Sequence, residues 1–176
     1  MNKMKFLGRA AIVALAFAMM TSCNNDDNNG SGGSTANGTY IKGKIDGSSW
    51  QTLEIQGQSV AIATTMGSGD SRTILINGSG DMTGSDSMVI QLIGIDSPGT
   101  YEINAQTNSL LAYVRTSEDT SYDTSDCDAA TGTVTITTIN DTKVEGSFSF
   151  TGKVDEDCSQ TKSITNGTFR GVFIQG

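Results

Sequence analysis

The sequence contains no histidine, a single proline, three cysteines and 6% aromatic residues in a chain of 176 residues. Without histidine the chain cannot form a Ser-His-Asp triad, a Cys-His pair or a zinc site that uses two histidines. Acidic residues outnumber basic ones by 19 to 11, which gives a net charge of -8. Because phosphate backbones are bound by basic surfaces, this acidic balance excludes nucleic acid as an expected partner. No cofactor motif and no metal motif is recognisable, so neither is predicted.

Long hydrophobic runs are also scarce, and the one that exists lies near the start of the chain. Residues 10–20 are eleven consecutive apolar residues, and they follow Lys3, Lys5 and Arg9 without any acidic residue. A basic segment followed by such a run is typical of a secretory signal peptide. As a helix it would span roughly 16 Å, about half of a bilayer core, which is too short for a transmembrane anchor. The sequence therefore predicts a signal peptide over residues 1–22.

Small residues and a cysteine follow the apolar run, in the order Thr21, Ser22, Cys23. This pattern resembles the lipobox of bacterial lipoproteins, with Met20 where leucine is usual. The resemblance implies that a diacylglyceryl group is attached to the Cys23 sulfur and that the chain is cut before Cys23. Two or three acyl chains hold a protein stably on a membrane, where one chain does so only marginally. The alternative is a free or disulfide-forming Cys23 in a secreted protein.

A polar linker separates Cys23 from the rest of the chain. Residues 24–38 contain Asn, Asp, Gly, Ser and Thr and nothing apolar larger than alanine. Such a segment is a flexible linker with a reach of roughly 20 Å. Asp26 and Asp27 resemble the acidic export signal of Bacteroidota lipoproteins, which implies the outer face of the outer membrane; a solvated linker is the alternative. Removing residues 1–22 takes away three basic residues and no acidic one, so the net charge falls to -11.

Residues 39–176 are predicted to form one all-β domain, because side-chain polarity alternates with period two almost throughout. Residues 133–137 alternate strictly, and after Asn140 and Asp141 residues 144–150 alternate again, which predicts a hairpin with one solvated face. Similar runs occupy residues 40–45, 50–55, 60–66, 73–77, 88–95, 100–103, 110–115 and 164–174. About nine or ten strands joined by short polar turns predict an antiparallel β-sandwich or an up-and-down β-barrel, which alternation alone does not distinguish.

Turn residues divide these strands. Asp46-Gly47 and Asn77-Gly78 are typical turn pairs, and Pro98-Gly99 suits a type II turn. Asn166-Gly167 is compatible with either a hairpin turn or a glycine bulge inside one long last strand.

Cys127 and Cys158 flank the predicted hairpin and lie in acidic segments. Beyond the inner membrane paired cysteines are usually oxidised, so we expect a disulfide between them. The bridge would bring together a set of carboxylates of the kind that binds calcium. However, the spacing matches no EF-hand, and a solvated acidic loop is favoured. The carboxylates concerned are Glu118, Asp119, Asp123, Asp126, Asp128, Asp155, Glu156 and Asp157.

Three further signals are weak. A glycoside hydrolase needs two carboxylates and no histidine, but no particular pair stands out. Trp50 is the only tryptophan, and a single tryptophan at a strand start is more often part of the core than a sugar platform. Asp86-Ser87-Met88 matches a loose O-glycosylation pattern of Bacteroidota, which makes Ser87 a candidate glycan site. We predict no catalytic residue from these signals.

The order of strand and turn motifs resembles a group of small Bacteroidota lipoproteins that carry one all-β domain of unknown function behind a lipidated cysteine. This resemblance implies the fold and transfers no catalytic or binding residue. The motifs that carry it are residues 44–50, 98–101, 132–136, 144–152 and 164–169.

Three functions are compatible with the sequence. The leading hypothesis is a lipid-anchored, non-catalytic interaction or accessory module on the outer membrane, facing the surface or the periplasm, with a protein or glycan partner. The second is a lipocalin-like barrel with a small ligand inside, which requires an apolar cavity. The third is a carboxylate hydrolase, which requires two carboxylates about 5–10 Å apart in a groove.

Overall fold

The computed structural model describes residues 38–154 and 157–174. The predicted signal peptide, Cys23 and the linker up to residue 37 lie outside the described residues, as do Asp155 and Glu156. Among the described residues, no helix has the length and hydropathy needed to cross a bilayer.

Antiparallel β-strands make up most of this part of the chain, together with 3-10 turns at Gly69–Ser71 and Thr116–Glu118. The strands are β1 Tyr40–Ile45, β2 Ser48–Gln51, β3 Glu54–Ile55, β4 Gln58–Ser59, β5 Ile62–Met66, β6 Thr73–Ser79, β7 Ser87–Ile93, β8 Gly99–Asn104, β9 Leu110–Arg115, β10 Thr120–Asp123, β11 Thr131–Ile139, β12 Lys143–Lys153 and β13 Thr161–Val172. The predicted all-β class is confirmed, although the number of strands is larger than expected because several are very short.

Strand β12 is the branch point of the main sheet. One of its edges pairs with β13, while the other edge pairs with β11 and, through Lys153, with Asp123 of β10. The sheet therefore has two arms. The long arm contains β2, β1, β13, β12, β11 and β8, and the short arm contains β10, β9, β7, β6 and β5.

The main sheet is strongly curled into a half-barrel. The curl brings β5 of the short arm against β13 of the long arm, where Gly171 has no side chain to keep them apart. A Cβ atom at Gly171 would lie 2.9 Å from the Cβ of Ala63 and 3.1 Å from Ile76. A larger residue at this position would push the two arms apart, so the glycine permits their close packing. Of the two architectures left open by the sequence, the barrel-like one is thus nearer to the structure.

Side chains from both arms fill the interior of the half-barrel. Phe148, Phe150 and Phe169 of the long arm form a ring cluster with centroid distances of 6.2–6.3 Å. The short arm contributes aliphatic side chains that are fully buried, among them Ile74, Ile76, Met88, Ile90, Leu92 and Leu111. Period-two alternation places these residues on the inner face, and the burial of their apolar surface drives the arms together.

Asp46 and Gly47 form the two-residue turn between β1 and β2, as predicted. Both have positive φ angles, 49° and 86°, which match the right-handed twist of a hairpin. The hairpin between β11 and β12 is also present, and the Asn140 carboxamide oxygen accepts the backbone N–H of Thr142 and of Lys143.

Asn166-Gly167 forms a bulge inside one continuous strand, which settles the ambiguity left by the sequence. Asn166 has a φ of 52°, and the register shifts between β13 and both of its neighbours at this point. A Cβ at Gly167 would lie 2.6 Å from the Phe148 ring, so only glycine fits between the two strands.

Three local expectations are wrong. Asn77-Gly78 was expected to form a turn, but both residues lie inside β6 and pair with Val89 and Met88 of β7. The segment around Asp123 was expected to be an acidic loop, but residues Thr120–Asp123 form β10 and pair with β9. A type II turn at Pro98-Gly99 was also expected, but Gly99 opens β8 and the positive φ angle lies at Gly94 instead. β8 is held by its pairing with the distant strand β11, whereas β10 pairs with its neighbour β9 and, through Asp123, with Lys153 of β12. Pairing of this kind overrides local residue preference.

Candidate functional site

The outer face of the long arm is lined with hydroxyl groups. Its strands alternate, so the residues between the buried core positions point outward together. We call this surface the hydroxyl face and define it by Tyr40, Lys42 and Lys44 of β1, Ser163, Thr165, Thr168 and Arg170 of β13, Glu145, Ser147, Ser149 and Thr151 of β12, Thr131, Thr133 and Thr135 of β11, and Thr100, Glu102 and Asn104 of β8.

The register arranges these side chains in rows across the strands. One row runs Thr100, Thr135, Ser147, Thr168 and Lys42, each residue directly paired with the next. A second row runs through Glu102, Thr133 and Ser149, and beyond the bulge Thr165 is paired with Lys44. Rows of this kind are about 19 Å long, because neighbouring strands lie about 4.8 Å apart. Both of these rows thus end at a lysine of β1, the first at Lys42 and the second at Lys44.

Two grooves lie on this face, each with a volume of about 230 Å³. Groove one is at the β1 side and is lined by Tyr40, Ile41, Lys42, Gln51, Thr52, Glu54 and Arg170. Groove two crosses β8, β11, β12 and β13 and is lined by Glu102, Thr131, Gly132, Thr133, Ser149, Phe150, Thr151, Ser163, Ile164 and Thr165. Each groove contains one carboxylate, so neither supplies the pair that the hydrolase hypothesis requires.

Two cations lie over the aromatic ring of Tyr40 in groove one. The Nζ atom of Lys42 lies 5.4 Å from the centroid of the Tyr40 ring, and the Cζ atom of Arg170 lies 5.8 Å from it. The Nε atom of Arg170 also donates to Glu145 Oε1 at 2.5 Å. Lys143 is the largest cause of a lowered pKa at Glu145, and Arg170 adds to it. Glu145 is therefore ionised and neutralised by its neighbours.

Lys42 and Lys44 differ from the other basic residues of the described chain. Each of the remaining six donates to a carboxylate or to a backbone carbonyl, and these six are Arg72, Arg115, Lys143, Lys153, Lys162 and Arg170. Within residues 38–154 and 157–174, neither Lys42 nor Lys44 has such a partner, and both side chains are exposed. The hydroxyl face therefore carries two cations whose charge is available to a ligand.

Residues 37–173 match the family model described as a domain of unknown function (DUF6252). The chain belongs to the DUF6252 family. No curated protein and no solved structure matches the chain. The expected domain of unknown function is thereby confirmed, whereas the lipobox and the Bacteroidota origin stay predictions.

The DUF6252 domain contains the predicted disulfide between Cys127 and Cys158, whose Cα atoms are 5.9 Å apart. The bridge joins the segment that follows β10 to the turn between β12 and β13. It therefore links the two arms at the same end where Asp123 and Lys153 form the one register pair between β10 and β12.

The described residues of the acidic segments around the bridge do not converge on a cation site. No group of metal-ligating side chains was found among the described residues of the domain. Asp123 accepts hydrogen bonds from Ser121 and from Ser125, and Asp157 accepts from the hydroxyl of Ser159. The Ser159 hydrogen bond is the largest cause of the lowered pKa of Asp157. These carboxylates are thus satisfied by local serines.

Trp50 packs against the core rather than presenting a free ring. Its indole Nε1 donates to Asp86 Oδ1 at 3.0 Å, which ties β2 of the long arm to the loop between β6 and β7. Burial, followed by the nearby Asp86 carboxylate, raises the pKa of Tyr113 to about 12. Asp86 therefore interacts with both Trp50 and Tyr113. The expectation of a core role for Trp50 agrees with this position.

Ser87 begins β7 and is half-buried, with its hydroxyl directed to the carbonyl of Gly84 at 3.4 Å.

The residues of groove one were not recognised from the sequence of the DUF6252 domain. A usable signal was the alternation of Lys42 and Lys44 along β1, because these two lysines share one face of the strand. Arg170 is brought to Tyr40 only by the pairing of the first strand with the last.

Proposed function

We propose that this protein is a lipid-anchored, non-catalytic interaction module that is displayed on the outer membrane and binds its partner on the outside of the β-domain. Anchoring is supported by the sequence Thr21-Ser22-Cys23, which directly follows an apolar run and precedes a polar linker. Two or more acyl chains on Cys23 give stable attachment to the membrane.

One structural observation supports binding on the outside. The interior of the half-barrel is filled by large side chains, with Phe148, Phe150 and Phe169 at 1–4% exposure. A lipocalin-like barrel would hold its ligand in that position, in an apolar cavity of about 300 Å³ or more. The grooves that are formed lie instead on the polar outer surface. The structure therefore favours a surface-binding protein over a carrier with an internal ligand.

Metabolic labelling of the producing bacterium with an alkyne fatty acid tests the anchor. We expect the wild-type chain to be labelled and to remain in the membrane fraction. The Cys23→Ala variant should lose both the label and the membrane association. A double Cys127→Ser, Cys158→Ser variant is the matched control and should keep the label, because its cysteines are in the β-domain. An unlabelled wild-type chain would refute the anchor.

Protease treatment of intact cells then tests the display on the surface. A domain on the outer face should be digested while the cells are still whole. A domain that faces the periplasm should be digested only after the outer membrane has been permeabilised.

A further inference from the structure

We propose that the hydroxyl face binds an acidic polysaccharide, a chain that presents many hydroxyl groups together with carboxylate or sulfate groups. The inference rests on the proposed interaction function, since it names the class of partner for the outer surface of the domain.

The first argument is the uniform chemistry of the face. Between the row that ends at Lys42 and the row of Asn104, Thr131, Thr151 and Ser163, every outward side chain is a hydroxyl, a charged group or an amide. A protein partner is usually anchored by buried aromatic or aliphatic side chains at the centre of the contact. These rows contain none. A ligand made largely of hydroxyl groups matches such a surface better.

The second argument is that hydroxyls of this face can form additional hydrogen bonds. A serine or threonine hydroxyl offers one donor and two acceptor positions. Thr100 and Thr135 bond to each other at 3.1 Å, but Ser147 and Ser149 have exposed hydroxyls without a partner in the part of the chain that the structure describes. These short side chains lose little conformational entropy on binding. The face can therefore exchange hydrogen bonds with a polyol at low entropic cost.

One hydroxyl in the middle of the face has no partner although it is buried. Thr168 Oγ1 is shielded from solvent and forms no hydrogen bond. The residue lies in the register row between Ser147 and Lys42. A buried polar group without a partner is uncommon in native structures and calls for an explanation. A ligand hydroxyl that reaches Thr168 Oγ1 would supply the missing bond.

The third argument is charge. Lys42 and Lys44 are exposed and have no carboxylate partner in the described chain, although the protein as a whole is strongly acidic. Glu102 lies on β8, at the opposite end of the rows. Anionic groups of the ligand are therefore attracted to the β1 side and repelled from the β8 side. This difference favours one orientation of the chain, with its acidic groups beside Lys42 and Lys44 and its hydroxyls along groove two.

Calorimetry on the full-length protein in detergent tests this inference with four polymers of matched length. Dextran sulfate and polygalacturonate carry hydroxyls and anions, dextran carries only hydroxyls, and polyglutamate carries only anions. We expect binding of at least one of the first two, with an affinity that falls as salt is raised, because exposed charges are screened. Dextran and polyglutamate should bind far more weakly.

Substitutions then locate the site. The double variant Lys42→Gln, Lys44→Gln should lose affinity on the order of tenfold, since two exposed charge contacts are removed. Arg115→Gln is the matched control, because Arg115 is equally charged but lies on the short arm, paired with Glu118. This control should leave the affinity unchanged. Ser147→Ala with Ser149→Ala should weaken binding to the acidic polysaccharide while circular dichroism shows an unchanged fold.

Several results would overturn the inference. Failure of both acidic polysaccharides to bind would exclude this class of ligand. Equal binding of dextran would remove the role of the lysines, and equal binding of polyglutamate would indicate an acidic peptide instead. An equal loss in Arg115→Gln would mean that the charge effect is not local. None of these results affects fatty-acid labelling at Cys23, so failure of the ligand inference and failure of the anchor are distinguishable.

Discussion

Both arms of the curled sheet have apolar inner faces, but their outer faces differ in polarity. On the long arm the outward positions are mostly serine, threonine and charged residues. On the short arm many outward positions are apolar and half-buried or exposed, namely Ile62, Met66, Leu75, Val89, Ile93, Leu110 and Val114. This difference assigns the inner and outer surfaces different roles. Stability comes from the shared interior, whereas the polar outer face of the long arm is the surface for which we propose a binding role.

The interior itself is built from unlike halves that fit each other. The long arm supplies phenylalanines and, beside them, glycines that leave room for rings. A Cβ at Gly146 would lie 3.1 Å from the Phe169 ring. The short arm supplies branched aliphatic side chains such as Ile76, which packs near Gly171. Because close packing of unlike shapes leaves few voids, removing one large ring should cost more than trimming one aliphatic methyl group.

The largest effect is expected for Phe169→Ala. Phe169 is 1% exposed and touches the ring cluster of the long arm. The variant should lose about 3–5 kcal/mol of unfolding free energy, through lost burial and a new cavity. Ile76→Val on the facing arm is the graded control and should lose only about 0.5–1.5 kcal/mol. Chemical denaturation measures both values. Equal losses would mean that the arms contribute alike.

Removal of the disulfide tests the connection between the arms. The bridge closes a loop with a sequence separation of 31 residues. The double variant Cys127→Ser, Cys158→Ser should lose about 3–4 kcal/mol on the chain-entropy account. Denaturation in the absence of reductant measures this loss for the variant relative to the wild type. Addition of reductant should lower the stability of the wild type but not of the variant. A variant as stable as the wild type would show that strand pairing alone joins the arms.

The sequence predicted the long arm better than the short one, for a physical reason. Polarity alternates cleanly in the hairpin of β11 and β12, because one face is solvated and the other is buried. In β7 and β9 of the short arm, outward residues such as Val89 and Val114 are also apolar, so the contrast is weaker. The short strand β10 contains three polar or acidic residues beside the single aromatic residue Tyr122, so its sequence predicts a loop.

The candidate site was less accessible to sequence reasoning than the fold. The disulfide was predictable, since two cysteines that follow a predicted signal peptide are expected to be oxidised and have few alternatives. Groove one was not, because it depends on the pairing of Tyr40 with Arg170, which are far apart in the chain. The register of the rows could not be predicted from the sequence either. A bulge at Asn166 shifts β13 by one position, and such a shift decides which side chains face outward.

Alkaline pH should destabilise the domain through the ionisation of Tyr113. The pKa of Tyr113 is raised from 10.0 to about 12 by burial and by Asp86. Because the folded pKa is higher than the unfolded one, the stabilisation is complete below pH 10 and is lost as the pH rises toward 12. We expect the melting temperature of the wild type to fall in this window. In Tyr113→Phe the fall should be smaller, and an identical pH profile would contradict the assignment.

The smallest effect is expected on the hydroxyl face. Thr135→Val removes the hydroxyl that bonds to Thr100 at 3.1 Å, on an outward position of β11. The bond is exposed and valine suits a strand, so the unfolding free energy should change by no more than about 0.5 kcal/mol. Val89→Thr is the reverse change on the short arm, where the half-buried methyl group packs between Asn77 and Ala112. It should cost more than Thr135→Val in the same denaturation experiment. Equal costs would mean that the two outer faces do not differ in their part in stability, and the division between an inner structural surface and an outer recognition surface would fail.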